Sequence, residues 1–294
     1  MAYTTTDLLN SIRQRGSIPT TTNSSNVNNT TNLLAMATEE LHIKLLPMIL
    51  SAREEYYVTY KDYSITANQA TYTIPTRASG QVLRDVQLIS GTTVKSLPLI
   101  DSERITSTAT GSPSAYYLEH NKVVLYPTPS TTVDTLRLRY YLRPSRLAAT
   151  SACVQITAID TVTFTVTVAA VPSTMTANVY IDYVAADAPF QNRAIDQLIS
   201  SVTGTTIIMT SLPSDLAVGD WVALADYTPI PQIPFEFIPV LSQMTVVKSL
   251  EALGDREGAK NAAADLQIIQ NNALALIAPR NHGEPKKVVP RRWR

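Results

Sequence analysis

Apolar positions change period along the chain, and the changes mark its elements. Over residues 32–63, Leu34, Ala37, Leu41, Leu45, Met48, Ala52 and Tyr56 recur at steps of three and four, which puts them on one face of a helix. Leu33, Met36, Ile43 and Leu50 make a second apolar line on the same cylinder. A helix apolar over more than one stripe packs on more than one side. Two arrangements fit: a helix sunk in its own core, or one with a face in its own domain and a face against a neighbouring subunit. Glu40 and Lys44, four residues apart in the favourable order, mark the expected wet side. Pro47 interrupts the pattern. Its ring removes one helix hydrogen bond and clashes with the carbonyl of Ile43, so the helix either kinks there or ends and restarts with Pro47 in a new first turn.

A shorter helix is expected over residues 4–15, capped by Thr4, Thr5 or Thr6, with Leu8, Leu9 and Ile12 as its apolar side and Gly16 as its stop. Residues 17–31 are nearly all Ser, Thr, Asn and Pro and read as a loop or arm. From Asp62 the period becomes two. Residues 63–66 and 70–74 read as a hairpin, residues 82–89 and 94–97 as a second, and residues 116–119, 122–126 and 135–142 as further strands. In the last of these, Leu136, Leu138 and Tyr140 alternate with Arg137, Arg139 and Tyr141, giving one dry and one wet face. Asp101 caps a short helical turn.

Residues 148–226 contain five expected short strands punctuated by Pro172, Pro189, Gly204, Pro213 and Gly219, the texture of a small antiparallel barrel or sandwich. The helical period returns only after a proline-rich connector, Pro229 to Pro239. A helix ending near Gly254 and a second over residues 256–278 make a hairpin, closed by Pro279. The expected fold is α+β: a helical bundle formed by the N- and C-terminal helices, an antiparallel β-rich region and a small inserted β-barrel or sandwich. Its parts are residues 1–61 (N-terminal helices with a polar arm), 62–147 (antiparallel β domain), 148–228 (inserted β domain), 229–279 (helical hairpin completing the bundle) and 280–294 (basic extended tail).

Composition narrows the function. The 294 residues are 45% apolar but only 16% charged, with 24 basic and 24 acidic side chains in balance. A neutral chain exerts no long-range pull on nucleic acid, and sparse charge suits life inside an assembly. The single cysteine, Cys153, excludes an internal disulfide and a cysteine-rich metal site. No stretch has the form of a signal peptide or reaches the length of a membrane span. His42, His120 and His282 are far apart, with no second ligand at metal spacing. Neither a nucleophile elbow nor a phosphate-binding loop occurs. Glu39–Glu40 and Glu54–Glu55 point apart on their helices, while Asp182, Asp187, Asp196 and Asp220 could meet only in space. No catalytic residue, metal site or cofactor is expected. The one charge concentration is the tail, Lys286, Lys287, Arg291, Arg292 and Arg294 around Trp293. It reads as a solvated end, as a segment docking an acidic partner groove with Trp293 as anchor, or as a phosphate contact.

Several phrases carry a resemblance. They are Asp7-Leu-Leu-Asn-Ser-Ile-Arg-Gln-Arg-Gly-Ser-Ile-Pro, Leu33-Leu-Ala-Met-Ala-Thr-Glu-Glu-Leu, Arg53-Glu-Glu-Tyr-Tyr, Tyr72-Thr-Ile-Pro-Thr-Arg-Ala-Ser-Gly-Gln-Val-Leu-Arg-Asp-Val, Leu125-Tyr-Pro-Thr-Pro, Tyr140-Tyr-Leu-Arg-Pro and Leu253-Gly-Asp-Arg-Glu-Gly-Ala. Together they resemble the head-to-tail adaptor (connector) proteins of short-tailed and related bacteriophages. The resemblance implies a structural virion protein assembled in the host cytoplasm. It would form a ring, usually of twelve copies, at the neck between the portal at the capsid vertex and a tail tube or nozzle protein. Genomic DNA would pass its lumen without sequence-specific binding, and no membrane partner is expected. Lys286, Lys287, Arg291, Arg292, Trp293 and Arg294 would dock the portal, and Leu33, Met36, Ile43 and Leu50 would face the next subunit. Leu250 and Leu266 would close the other side of the long helix. The alternative from a different class is a receptor- or carbohydrate-binding β-rich tail component, which needs exposed aromatic platforms; Trp221 and Trp293 are the only tryptophans.

Overall fold

The computed structural model describes residues 3–20, 23, 26–105, 108–132, 134–187 and 192–277. It is a mixed helix and strand fold that contains a closed six-stranded barrel. Helix α1 (Thr5–Gly16) begins where expected: Asp7 Oδ2 accepts from both the amide and the hydroxyl of Thr4. The helix stop is Ser17, in the left-handed region at φ 50°, and not Gly16. Gly16 serves packing instead, since a Cβ there would sit 2.9 Å from Ile18 Cδ1 and 3.3 Å from Val246 Cγ1.

Helix α2 (Thr30–Glu40) starts on Asn29, whose side chain accepts from the amide of Asn32. It runs into a π-helical turn, Leu41–Leu45, and then into α3 (Leu46–Ala52). The backbone stays helical across Pro47, which sits in the first turn of α3. The proline has no N–H to give, and in α register its ring would strike the Ile43 carbonyl. The preceding turn widens, so that the Leu46 amide bonds the Leu41 carbonyl. The extra residue of a π turn rotates everything after it. Leu46 and Ile49 therefore enter the core, while Met48 and Ala52, expected there, are half-buried. Glu40 is also unlike the expectation of a wet side. Its side chain is 4% exposed and is held by Lys44 at 2.7 Å and Lys248 at 3.6 Å.

The strands follow as β1 (Val58–Ser64), β2 (Thr71–Thr73), β3 (Ala78–Ser90), β4 (Thr93–Ser96), β5 (Thr110–Gly111), β6 (Ala115–Glu119), β7 (Lys122–Tyr126), β8 (Thr128–Pro129), β9 (Thr135–Leu142) and β10 (Arg146–Leu147). The main sheet has the order β1-β9-β3-β4 and is antiparallel throughout. A second antiparallel sheet runs β2-β7-β6. The expected hairpin between residues 63–66 and 70–74 does not form. Its arms separate, β1 pairing with β9 and β2 with β7. Only the turn survives, with the Gln69 amide on the Thr66 carbonyl. The dry face of β9, Leu136, Leu138 and Tyr140, meets Val86, Leu88, Tyr72, Val123 and Leu125 in one core. Burial pushes the Tyr140 phenol up to about 12.

The barrel comprises β11 (Val154–Asp160), β12 (Thr165–Val168), β13 (Tyr180–Val184), β14 (Asn192–Thr203), β15 (Thr206–Met209) and β16 (Trp221–Leu224). Its order is β11-β12-β15-β14-β13-β16, and β16 pairs β11 to close it, Val154 opposite Val222. Six strands replace the five expected. The unforeseen one is β14, where alternation is broken by register shifts against both neighbours and by Asp196 at φ 54°. After β17 (Tyr227–Thr228), which pairs parallel with β10, come α4 (Ile238–Leu253) and α5 (Arg256–Ile277). Gly254 turns between them at φ 80°. Helix α4 packs on α1, α2 and α5. Leu8, Ile12, Leu33, Leu41, Leu45, Phe237 and Leu241 share one core, with Leu250 and Leu266 against it. No described helix is long and apolar enough to cross a membrane.

One buried ion pair joins sheet and barrel. Arg77, just before β3, places Nη1 2.7 Å from Asp182 Oδ2 and Nη2 2.9 Å from Asp182 Oδ1. Its Nη2 also lies 3.0 Å from Asp196 Oδ1. Asp182 accepts in addition from the amides of Asp196 and Asp226. Arg77 and Asp182 are almost wholly buried. Removing one partner of such a pair strands the other charge. Arg77→Ala is therefore predicted to lower the unfolding free energy by about 3–5 kcal/mol in denaturant titration. Arg84→Ala, which breaks a half-exposed pair with Glu54, should cost about 1 kcal/mol or less; equal effects would refute the assignment.

The helices meet the sheets at His42, whose Nε2 lies 2.8 Å from the Pro144 carbonyl. Burial lowers its pKa from the ordinary value, with Arg143 and Arg146 acting the same way and the Pro144 contact and Asp226 opposing. The unfolded chain then takes a proton at His42 before the folded chain does. Stability from this group is complete above the ordinary histidine pKa and is lost as pH falls through it, until the folded form also protonates. Between pH 7.5 and 5.5 the thermal midpoint of the native chain should fall further than that of His42→Gln; parallel curves would contradict this.

Candidate interaction site

A concavity lies where the first turn of α1, the connector and the barrel meet. Thr5 pins the start of α1: its amide donates to the Pro229 carbonyl and its hydroxyl to the Ala148 carbonyl, each at 2.7 Å. The connector is stiffened by prolines and by Thr228, whose hydroxyl donates to the Ile230 carbonyl and accepts from the Ile230 amide. Ile230 and Ile233 are buried, yet Phe235 between them and α4 is 71% exposed. The Tyr3 ring stands edge-on to Phe235, centroids 6.3 Å apart. Burial raises the Tyr3 phenol pKa. The resulting cleft has a volume of about 1000 Å³, with Trp221, Ile230, Ile233 and Ile238 among its apolar lining. Trp221 Nε1 has no acceptor among the described residues. Among the described residues, Asp7 and Asp187 are the charged ones lining it, which gives an apolar cleft an acidic character.

The four aspartates that sequence could not pair do not pair with each other. Asp182 and Asp196 go to Arg77. Asp220 lies 3.0 Å from Nε of Arg193, and Asp187 and Asp215 also flank that guanidinium. Buried Asp220 accepts further from the amides of Ala186 and Ala217. The hydrogen bond that Arg193 donates to Asp220 leads the causes that raise the Arg193 pKa. Each carboxylate is thus matched to a guanidinium or an amide, an arrangement that braces loops. Burial raises the Asp182 pKa, with Arg77 and the two amides opposing. Among the described residues no group of His, Cys, Asp and Glu could hold a metal ion. His120 is exposed, and Cys153 is buried with its thiol pushed up to about 12.

The residues expected at a subunit interface separate. Leu33 is fully buried in the chain's own core, which corrects its assignment to a neighbour-facing line. Met36 and Leu50 are half-buried, and Ile43, in the π turn, is 63% exposed. Lys286, Lys287, Arg291, Arg292, Trp293 and Arg294 lie outside the described residues, as does His282. Sequence reasoning missed Tyr3 and Phe235, and also Arg77 and Arg193. A phenylalanine in an apolar connector reads as core, and only the connector's path turns Phe235 outward. The arginines had one visible signal, an excess of aspartate in a barrel otherwise poor in charge.

Comparison with known proteins adds the family. No curated protein matches the chain. A family model described as SU10 adaptor protein matches residues 3–199, from just before α1 into β14. That span is more than half of the 294 residues and takes in both the Arg77 clamp and the Tyr3 side of the cleft. The chain therefore belongs to the SU10 adaptor protein family, in keeping with its resemblance to phage head-to-tail adaptors.

Proposed function

We propose that this chain is a structural, non-enzymatic virion protein. It forms a head-to-tail adaptor ring of twelve copies between the portal at the capsid vertex and the tail tube or nozzle protein. The observation that carries this reading is the match of residues 3–199 to an adaptor family. The supporting features are physical. The chain is electrically neutral, so DNA can pass the lumen without being gripped. The carboxylates at the barrel are committed to arginines and amides. The N- and C-terminal helices, with residues 1–61 and 229–279 as one unit, form the bundle that packs side by side around the ring. Residues 62–147 and the inserted domain 148–228 face the tail. The ring assembles in the host cytoplasm and resides at the virion neck.

Within the ring, Ile43 is the apolar contact to the next subunit, flanked by Met36 and Leu50. A large apolar residue held outward by a π turn suits a partner more than water. The basic tail, residues 286–294, docks the portal with Trp293 as its anchor.

Negative-stain microscopy of the protein mixed with its portal should reveal closed rings, and Ile43→Asp should dissociate them while leaving the far-ultraviolet circular dichroism unchanged. A chain that stays monomeric with and without portal would overturn the reading. Deleting residues 286–294 should leave the far-ultraviolet circular dichroism unaltered and weaken portal attachment at least about tenfold, the scale of one lost aromatic or arginine anchor. Unchanged attachment removes that role from the tail.

A further inference from the structure

The cleft beside Phe235 lies close to the point where the described structure ends. Helix α5 runs back along α4 from Gly254 and is the longer arm of the hairpin, 22 residues against 16. Its C-terminal end therefore overhangs the start of α4 and meets the turn Phe235–Phe237. Ile277 is buried in the same core as Phe237, and its carbonyl accepts from Nε of Arg53 at 3.2 Å. Residues 278–294 thus leave the described structure beside the turn that carries Phe235, the aromatic rim of the cleft.

Chemistry and reach agree. Among the described residues the cleft lining includes Asp7 and Asp187, the latter also paired with Arg193, and no basic side chain, and Glu236 is exposed next to Phe235. Residues 278–294 hold six basic side chains against one acidic, Glu284, and carry Trp293. At about 3.3 Å per residue, Trp293 can stand up to about 50 Å from Ile277, so distance does not limit docking. Tethering to an adjacent site gives an effective concentration in the millimolar range. Pro279, Pro285 and Pro290 reduce the ordering cost of an extended segment.

We infer that residues 278–294 dock in the cleft of their own chain in the free protein. Trp293 packs against Phe235 and Tyr3, and the basic side chains lie beside Asp7, Asp187 and Glu236. The tail is then held in cis before assembly and becomes available to a partner by leaving the cleft. This inference does not rest on the ring or on the portal.

Carbodiimide coupling of the full chain, without portal, tests it. An equal mixture of ¹⁴N- and ¹⁵N-labelled protein separates bonds within a chain from bonds between chains. Amide links from Lys286 or Lys287 to Asp7, Asp187 or Glu236 should form within single chains. Phe235→Ala should lower their yield at least about fivefold with an unchanged far-ultraviolet circular dichroism, because that side chain stands outside the described core. As a second readout, Trp293→Phe leaves Trp221 as the sole tryptophan. Its quenching by acrylamide should rise about twofold when Lys286, Lys287, Arg291, Arg292 and Arg294 are also changed to glutamate. Links only to other carboxylates, links only between chains, no links, or a Trp221 signal indifferent to the charge reversal would each overturn the inference. None of these outcomes bears on ring formation.

Discussion

The contact of Arg77 with Asp182 and Asp196 sets the relation between the sheet and the barrel. A guanidinium and a carboxylate out of water are each costly, and the cost is met only when nearly every donor and acceptor is used. Here Asp182 takes both nitrogens of Arg77 and two backbone amides. One of those amides belongs to Asp226, whose own carboxylate pairs with Arg143 and Arg146. Loops from the sheet, the barrel and the connector thus have to arrive together for any one of them to be satisfied. Gln232 extends the same logic: its side chain accepts from the Ser145 amide and donates to Asn192, and its carbonyl accepts from Tyr57. Apolar packing holds each core, but this polar junction decides how the cores are oriented.

The helix that crosses the junction shows how a local constraint becomes a surface. Pro47 forbids one hydrogen bond, the turn before it widens, and the added residue turns Ile43 into solvent while bringing Leu46 and Ile49 inward. Thr38 and His42, on the side toward the sheets, then meet Leu147 and Pro144. A regular α-helix would keep one of these faces in place at the expense of the other.

Much of this was legible in the sequence, because it followed from period and from punctuation. The alternation of Leu136, Leu138 and Tyr140 gave the sheet core, and the Gly254–Asp255 pair gave the helical hairpin. The texture of residues 148–226 pointed to a barrel, and a barrel is present. The failures share a cause. The arms of the turn at 66–69 look like a hairpin locally, yet each finds a better partner about fifty or more residues away. Strand β14 hides behind its bulges, and Glu40 looks wet because Lys248, which helps bury it, is remote in sequence. Of the candidate site, the basic tail was visible as a charge run, whereas the cleft was not, since it is made by α1, the barrel and the connector together.

The pinning of α1 has a consequence in time. Thr5 hydrogen-bonds Pro229, Asn28 bonds Ser249, and α1 rests on α4, so α1 is completed by a segment made more than two hundred residues after it. At about 5–20 residues per second, roughly 10–45 s of translation separate the end of α1 from the start of α4. Throughout that interval Leu8, Leu9 and Ile12 have no core to enter. Closure of such distant segments is entropically late. The emerging barrel, whose strands pair among themselves, can finish first and carry the two ends toward each other. The nascent chain is thus exposed to clumping along α1 until α4 has emerged, and a single docking event covers both helices.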